Sequence, residues 1–117
     1  MNTEEIRDYC LSKNEVSESF PFDDTALVFK VLDKMFALVI LSDDSRMNLK
    51  CNPELALELR EKYPCVIPGY HMNKKHWNTI VLDGSVKREL LKEWIDHSYD
   101  TVVNGMTKSK KALLGYK

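Results

Sequence analysis

The densest concentration of groups able to do chemistry is Gly69-Tyr70-His71-Met72-Asn73-Lys74-Lys75-His76-Trp77-Asn78-Thr79. Two histidines, two lysines, two asparagines and two aromatic rings fall within eleven residues. Hydrogen-bond donors beside rings that can stack describe a binding surface before they describe an active site. An apolar run, Ile80-Val81-Leu82, follows, and Asp83-Gly84 closes it. If 66–72 is extended and 76–82 is a strand, Asn73-Lys74-Lys75 is the tip of a hairpin. Lys74 and Lys75 would then stand at that tip, beside the hydrogen-bonding groups of Asn73, Asn78, His71 and His76. A solvated tip whose lysines keep an edge soluble, or a contact to a protein or small ligand, fits the same residues.

Other chemistries find less support. His71 and His76 flank a turn, but two ligands without a neighbouring Cys, Asp or Glu fall short of a zinc site. They read as residues tying the hairpin strands together, and no metal or other cofactor is expected. Cys65 lies six residues before His71, yet no third group or oxyanion hole accompanies the pair. The chain has no G-x-S-x-G, P-loop or dinucleotide fingerprint, so a non-enzymatic role is expected. Trp77, in a strand with Val81, reads as a core residue rather than a stacking platform. His97, beside Asp96, reads as a surface or half-buried residue.

The elements that must position this stretch follow from the periodicity. Thr3-Glu4-Glu5-Ile6 opens a short helix over about 4–13, with Thr3 as N-cap. Ser17 to Thr25 reads as a loop in which Phe20-Pro21-Phe22 straps onto the core, because exposed rings forgo burial energy. Alternation then gives strands at 27–31, 35–41 and 47–51, separated by turns at Leu32-Asp33-Lys34 and Ser42-Asp43-Asp44-Ser45. Asn52-Pro53-Glu54 starts a helix that Pro64 ends, with Leu55, Leu59 and Tyr63 inward. Ser85 is the expected N-cap of a long helix carrying Leu91, Trp94, Ile95, Ser98, Val102 and Val103, which Gly105 terminates. Residues 106–117 form a basic tail with four lysines and no acid, read as a solvated end after a single domain over 1–105.

Composition bounds the rest. The 117 residues, 44% hydrophobic and 30% charged, fit one soluble α+β domain in which an antiparallel sheet packs with helices. The longest apolar run, Met35 to Leu41, is too short to cross a membrane. Cys10, Cys51 and Cys65 are odd in number and widely spaced, as expected of reduced thiols in a cytoplasmic protein. Residues 1–69 carry 13 acids against 8 basic residues, and residues 70–117 carry 5 against 9. The +4 of the second half is a modest attraction for an anionic partner, below that of tight nonspecific DNA binders.

Pro21-Phe22-Asp23-Asp24, Asn52-Pro53-Glu54, the Gly69–Thr79 stretch and Ile95-Asp96-His97-Ser98-Tyr99-Asp100 with Val102-Val103 occur in the order typical of MmcQ/YjbR proteins. The chain resembles that family over nearly its whole length. One departure is the turn Leu32-Asp33, where the family would have glycine. The resemblance implies a compact, CyaY-like α+β domain, also described as a permuted double wing, in a bacterial cytoplasmic protein. It also implies a DNA-binding label that rests on likeness of fold to winged domains. The leading functional expectation is therefore a small DNA-binding module using His71, Asn73, Lys74, Lys75, His76 and Asn78. Its competitor is a protein-interaction or adaptor domain. DNA binding calls for Lys74, Lys75, Lys87, Arg88 and the tail lysines on one continuous face, whereas an adaptor calls for an exposed apolar patch. An enzyme would need His71, His76 and Cys65 in one pocket.

Overall fold

A computed structural model of the protein describes residues 1–41, 46–70 and 72–115. Its helices are α1 (Thr3–Leu11), α2 (Pro53–Lys62), α3 (Arg88–Asn104) and α4 (Lys108–Leu113). Its strands are β1 (Val16–Ser19), β2 (Ala26–Val31), β3 (Lys34–Ile40), β4 (Arg46–Lys50), β5 (Val66–Pro68) and β6 (Trp77–Val81). They form one sheet in the order β1-β2-β3-β4-β6-β5, and every neighbouring pair is antiparallel. The α+β architecture expected from the periodicity is the one observed. Among the described residues, no helix is long and apolar enough to cross a membrane.

Alternation along the strands sends side chains to two unlike faces. Leu27, Phe29, Val31, Val39, Met47, Leu49 and Ile80 meet Ile6, Cys10, Leu91, Ile95, Val102 and Val103 in the main core. The partly buried Leu59 of α2, Tyr63 at its C-cap and the buried Leu114 beyond α4 join the same cluster. The opposite face carries a smaller cluster, Ala26, Val28 and Leu38 with Met35 and Ile40, all of them strand residues. Among the described residues, helices thus cover one face of the sheet and leave the other open.

A β-bulge sits at the centre of the covered face. Phe29 opposes Ala37 while Lys30 opposes Met35, so the register of β2 with β3 skips Phe36. Phe36 and Ala37 are consequently both buried, and the Phe36 ring meets Tyr99 edge-on at 5.4 Å. Beside the bulge, Ser98 of α3 bonds the backbones of β3 and β4. Its hydroxyl donates to the Phe36 carbonyl, and its Oγ accepts the Lys50 N–H at 2.9 Å.

Several local expectations are corrected. The first helix is capped by Asn2, not Thr3: Asn2 Oδ1 accepts the Glu5 N–H at 2.8 Å while the Glu5 carboxylate accepts the Asn2 N–H. β1 replaces the first part of the expected loop, because Val16–Ser19 pairs along the edge of β2. Lys87, not Ser85, occupies the N-cap of α3, since the Ser85 hydroxyl is bound to Asp83. Gly105 does cap α3, but with a right-handed φ of −82°.

Leu32 takes the left-handed conformation (φ 55°) in the turn where the family resemblance calls for glycine. Its N–H bonds the Glu15 carbonyl at 2.9 Å and its side chain packs on the core, which holds the unusual backbone. The basic tail is not a solvated end as far as Leu114. Thr107 caps α4, Leu114 is buried, and Asn14 donates to the Leu114 carbonyl. The expected turn 42–45 lies outside the described residues.

This packing sets two stability responses. Ser98→Ala leaves the Phe36 carbonyl and the Lys50 N–H buried without the hydroxyl that serves both. It should destabilise the fold by about 1–3 kcal/mol, read as a lower urea midpoint at unchanged m-value. Burial also raises the Cys10 thiol from 9.0 to about 12, against the opposing pull of Lys13, and the Cys51 thiol to about 11. Burial first, then the hydrogen bond to Asp96, raises Tyr9 from 10.0 to about 12. The unfolded chain therefore loses these protons first as pH rises, so their stabilising contribution is complete below pH 9 and lost between 9 and 12. Urea midpoints should fall above pH 9, and Cys10→Ala should make that fall shallower.

Candidate functional site

The loop 69–76 between β5 and β6 is held from two sides. From α2, Arg60 Nε donates to Asn78 Oδ1 at 2.7 Å, and Nη2 donates to the carbonyls of Lys74 and Trp77. Asn78 Nδ2 in turn donates to the Ala56 carbonyl at 3.3 Å. On the other side, Cys51 N–H bonds the His76 carbonyl at 2.7 Å. Gly69 begins the loop because a side chain would not fit: a Cβ there would lie 2.8 Å from both the Cβ and the carbonyl oxygen of Trp77.

This arrangement sorts the residues expected to form the site. Asn73, Lys74 and Lys75 are exposed at the tip. Asn73 Oδ1 accepts the Lys75 N–H at 2.9 Å, and Lys74 Nζ reaches back to the Gly69 carbonyl at 3.2 Å. His76 is half-buried. Asn78 is withdrawn from the surface: it is 2% exposed and its amide is engaged with α2, so its expected role as a nucleic-acid contact is corrected to a structural one. His71 lies outside the described residues. Trp77 is buried, as expected, but belongs to neither apolar cluster.

Two of the basic residues expected on a duplex-binding face are held in ion pairs. Arg88 pairs with Glu5 of α1 at 2.5 Å. Lys110 pairs with Asp33 in the β2–β3 turn at 3.4 Å, across β4 from the 69–76 loop.

The open face of the sheet holds a cavity of about 460 Å³ that sequence reasoning missed. Phe22, Asp23 and Thr25 form one wall, and Tyr70 and Met72 form another. Leu38, Ile40, Arg46, Asn48 and Thr79 lie beneath them on β3, β4 and β6. The expectation that Phe20 and Phe22 strap onto the core is corrected. Their loop runs along the uncovered face, and Phe22 is 69% and Phe20 50% exposed. Tyr70 on the other wall is 55% exposed. The stretch 21–24 and the stretch 69–79, singled out separately in the sequence, thus border one cavity.

A polar triangle fixes the second wall to the floor. Thr79 Oγ1 donates to Asn48 Oδ1 at 2.5 Å and accepts the Tyr70 N–H at 2.9 Å, while Asn48 Nδ2 donates to the Tyr70 carbonyl at 3.2 Å. The first wall is fixed by Asp23, whose Oδ1 accepts from the Thr25 hydroxyl and from the N–H groups of Thr25 and Ala26. The Thr25 hydroxyl is the largest cause holding the Asp23 carboxyl below its ordinary range. The Arg46 guanidinium lies 6.0 Å from the centre of the Tyr70 ring. The one sequence signal for this cavity was the pair of phenylalanines around Pro21.

Comparison with known proteins agrees with the fold and its motifs. The YjbR family model matches residues 11–101. The uncharacterized protein YjbR of Escherichia coli K12 is 36% identical over 115 residues, spanning 97% of this chain and 98% of the relative. A crystal structure of Deinococcus radiodurans protein DR2400, a DUF419 domain, superposes with a TM-score of 0.91 at 44% identity, covering 99% of this chain and 89% of the other. A Pseudomonas syringae protein superposes with a TM-score of 0.75 at 30% identity, covering 86% and 98% respectively. With a family model over most of its length and a relative matched from end to end, this chain belongs to the YjbR family.

Proposed function

We propose that this chain is a non-enzymatic binding module that contacts a nucleic-acid strand with the 69–76 loop and the adjoining open face of the sheet. The observation that carries this reading is that one loop bears exposed cations and an exposed ring that faces a cavity. Asn73, Lys74 and Lys75 stand at the loop tip, and Tyr70 of the same loop faces a cavity that Phe22 also lines. Backbone neutralisation beside aromatic stacking is the chemistry of single-strand binding. A duplex reader would instead need a wide basic face, and here Arg88 and Lys110 serve ion pairs elsewhere. The buried thiols of Cys10 and Cys51, raised by desolvation, favour a structural over a nucleophilic role.

A protein-interaction role is the second reading. It is favoured by the exposed apolar residues Phe20, Phe22, Leu41 and Tyr70, because such patches also mark protein interfaces.

Binding of a fluorescent single strand and of the matching duplex across a salt series separates the two. The single strand should bind more tightly and weaken as salt rises. Lys74→Ala/Lys75→Ala should make the salt slope shallower by about 0.7 for each phosphate that is no longer neutralised. No binding of either nucleic acid at low salt would remove this proposal and leave the protein-interaction reading in front.

A further inference from the structure

We propose that the cavity on the open face is a pocket for a single unstacked base, with Phe22 and Tyr70 as its stacking walls and Asn48 as its reading group. This assignment rests on the nucleic-acid reading above and adds where on the strand recognition occurs. The volume of about 460 Å³ falls within the roughly 300–1,000 Å³ of small-ligand sites. Its walls come from two separate loops, so a planar ring entering the cavity meets aromatic surface from both. Solvated aromatic surface of this kind gains most from a ligand that is itself flat and aromatic.

The floor provides a neutral hydrogen-bonding amide, Asn48, beside the Arg46 guanidinium. Asn48 is 3% exposed and spends one N–H on the Tyr70 carbonyl and one lone pair on the Thr79 hydroxyl. A carboxamide carries two N–H groups and two acceptor lone pairs. Among the described residues, one donor and one acceptor of the amide therefore remain, in a group that the triangle holds in place. A base edge presents the complementary pair. An apolar peptide side chain would bury that donor and acceptor without partners, which disfavours it as the occupant. The exposed lysines of the same loop as Tyr70 would supply cations for the phosphates flanking such a base.

The test compares a single strand with an abasic strand of the same length and charge. Both are titrated against wild type, Phe22→Ala and Tyr70→Ala. Phe22 and Tyr70 are exposed, so these substitutions leave the core intact, which circular dichroism would verify. Wild type should bind the abasic strand about 5- to 100-fold more weakly, the factor expected for one stacked base. Phe22→Ala should bind the ordinary strand correspondingly more weakly and no longer distinguish it from the abasic one. A nucleoside monophosphate should also shift the Tyr70 amide resonance in wild type and not in Phe22→Ala.

Equal wild-type affinity for both strands, with Lys74→Ala/Lys75→Ala still weakening it, would overturn the base pocket while the nucleic-acid reading stands. No binding of either strand would overturn both. Phe22-dependent binding of an apolar peptide in the absence of strand binding would assign the cavity to a protein partner instead.

Discussion

The hydroxyl of Ser98 is the point at which the covered side of this sheet is fixed. The bulge at Phe36 breaks the ladder between β2 and β3 and turns two consecutive residues into the core. A buried backbone carbonyl costs about as much as a lost hydrogen bond unless it has a partner. Ser98 gives one to the Phe36 carbonyl from α3, and in the same step takes the N–H at the end of β4. One small side chain thereby joins two central strands to the longest helix. With α3 seated in this way, and α1, α2 and Leu114 contributing to the same core, the alternate side chains fall on a face that no described helix covers. The open face is the geometrical counterpart of the covered one.

Two asparagines on neighbouring strands divide the work of holding the 69–76 loop. Asn78 and Leu49 are paired across β6 and β4, as are Thr79 and Asn48. Alternation therefore points Asn78 toward the helices and Asn48 away from them. Asn78 ties the loop to α2 through Arg60, whose guanidinium also gathers the carbonyls of Lys74 and Trp77. Asn48 ties the loop to the open face through Thr79 and the Tyr70 backbone. Buried amides of this kind are costly unless satisfied, and both have their partners. The loop is thus positioned from both faces at once, which is how a short connection can present side chains in a defined place.

Much of this was legible in the sequence, for identifiable reasons. The strands with clean alternation and the helix opened by Asn52-Pro53 carry local signals strong enough to survive packing, and α2 starts where those residues place it. β1 was not legible because Val-Ser-Glu-Ser has one inward position, and its strand state comes from pairing with β2. Phe20 and Phe22 were misread because the rule that rings seek burial has no knowledge of which sheet face lacks a helix. Asn78 was misplaced for a related reason: within a stretch rich in polar groups, only the register separates the amide that faces solvent from the one that faces α2. The cavity itself could not be read, since its parts come from the segment leading into β2, from β3, β4 and β6, and from Tyr70 and Met72, and meet only through the order of the strands.

Charge explains why recognition on this scaffold would depend on rings more than on phosphates. The net charge is −1, and Arg7, Lys13, Arg88 and Lys110 each face a carboxylate within the chain. Such exposed pairs add little to stability. They do cancel the field that would otherwise draw a polyanion over distance, because each cation carries its counter-charge a few ångströms away. Under the proposed reading, recognition would rest on short-ranged contacts: the rings at the rim of the cavity and the amide at its floor. Interactions of that range act only on a group already in contact, so they would select a ligand by shape and ring chemistry. The lysine pair at the loop tip would then add attraction, and the cavity would add discrimination.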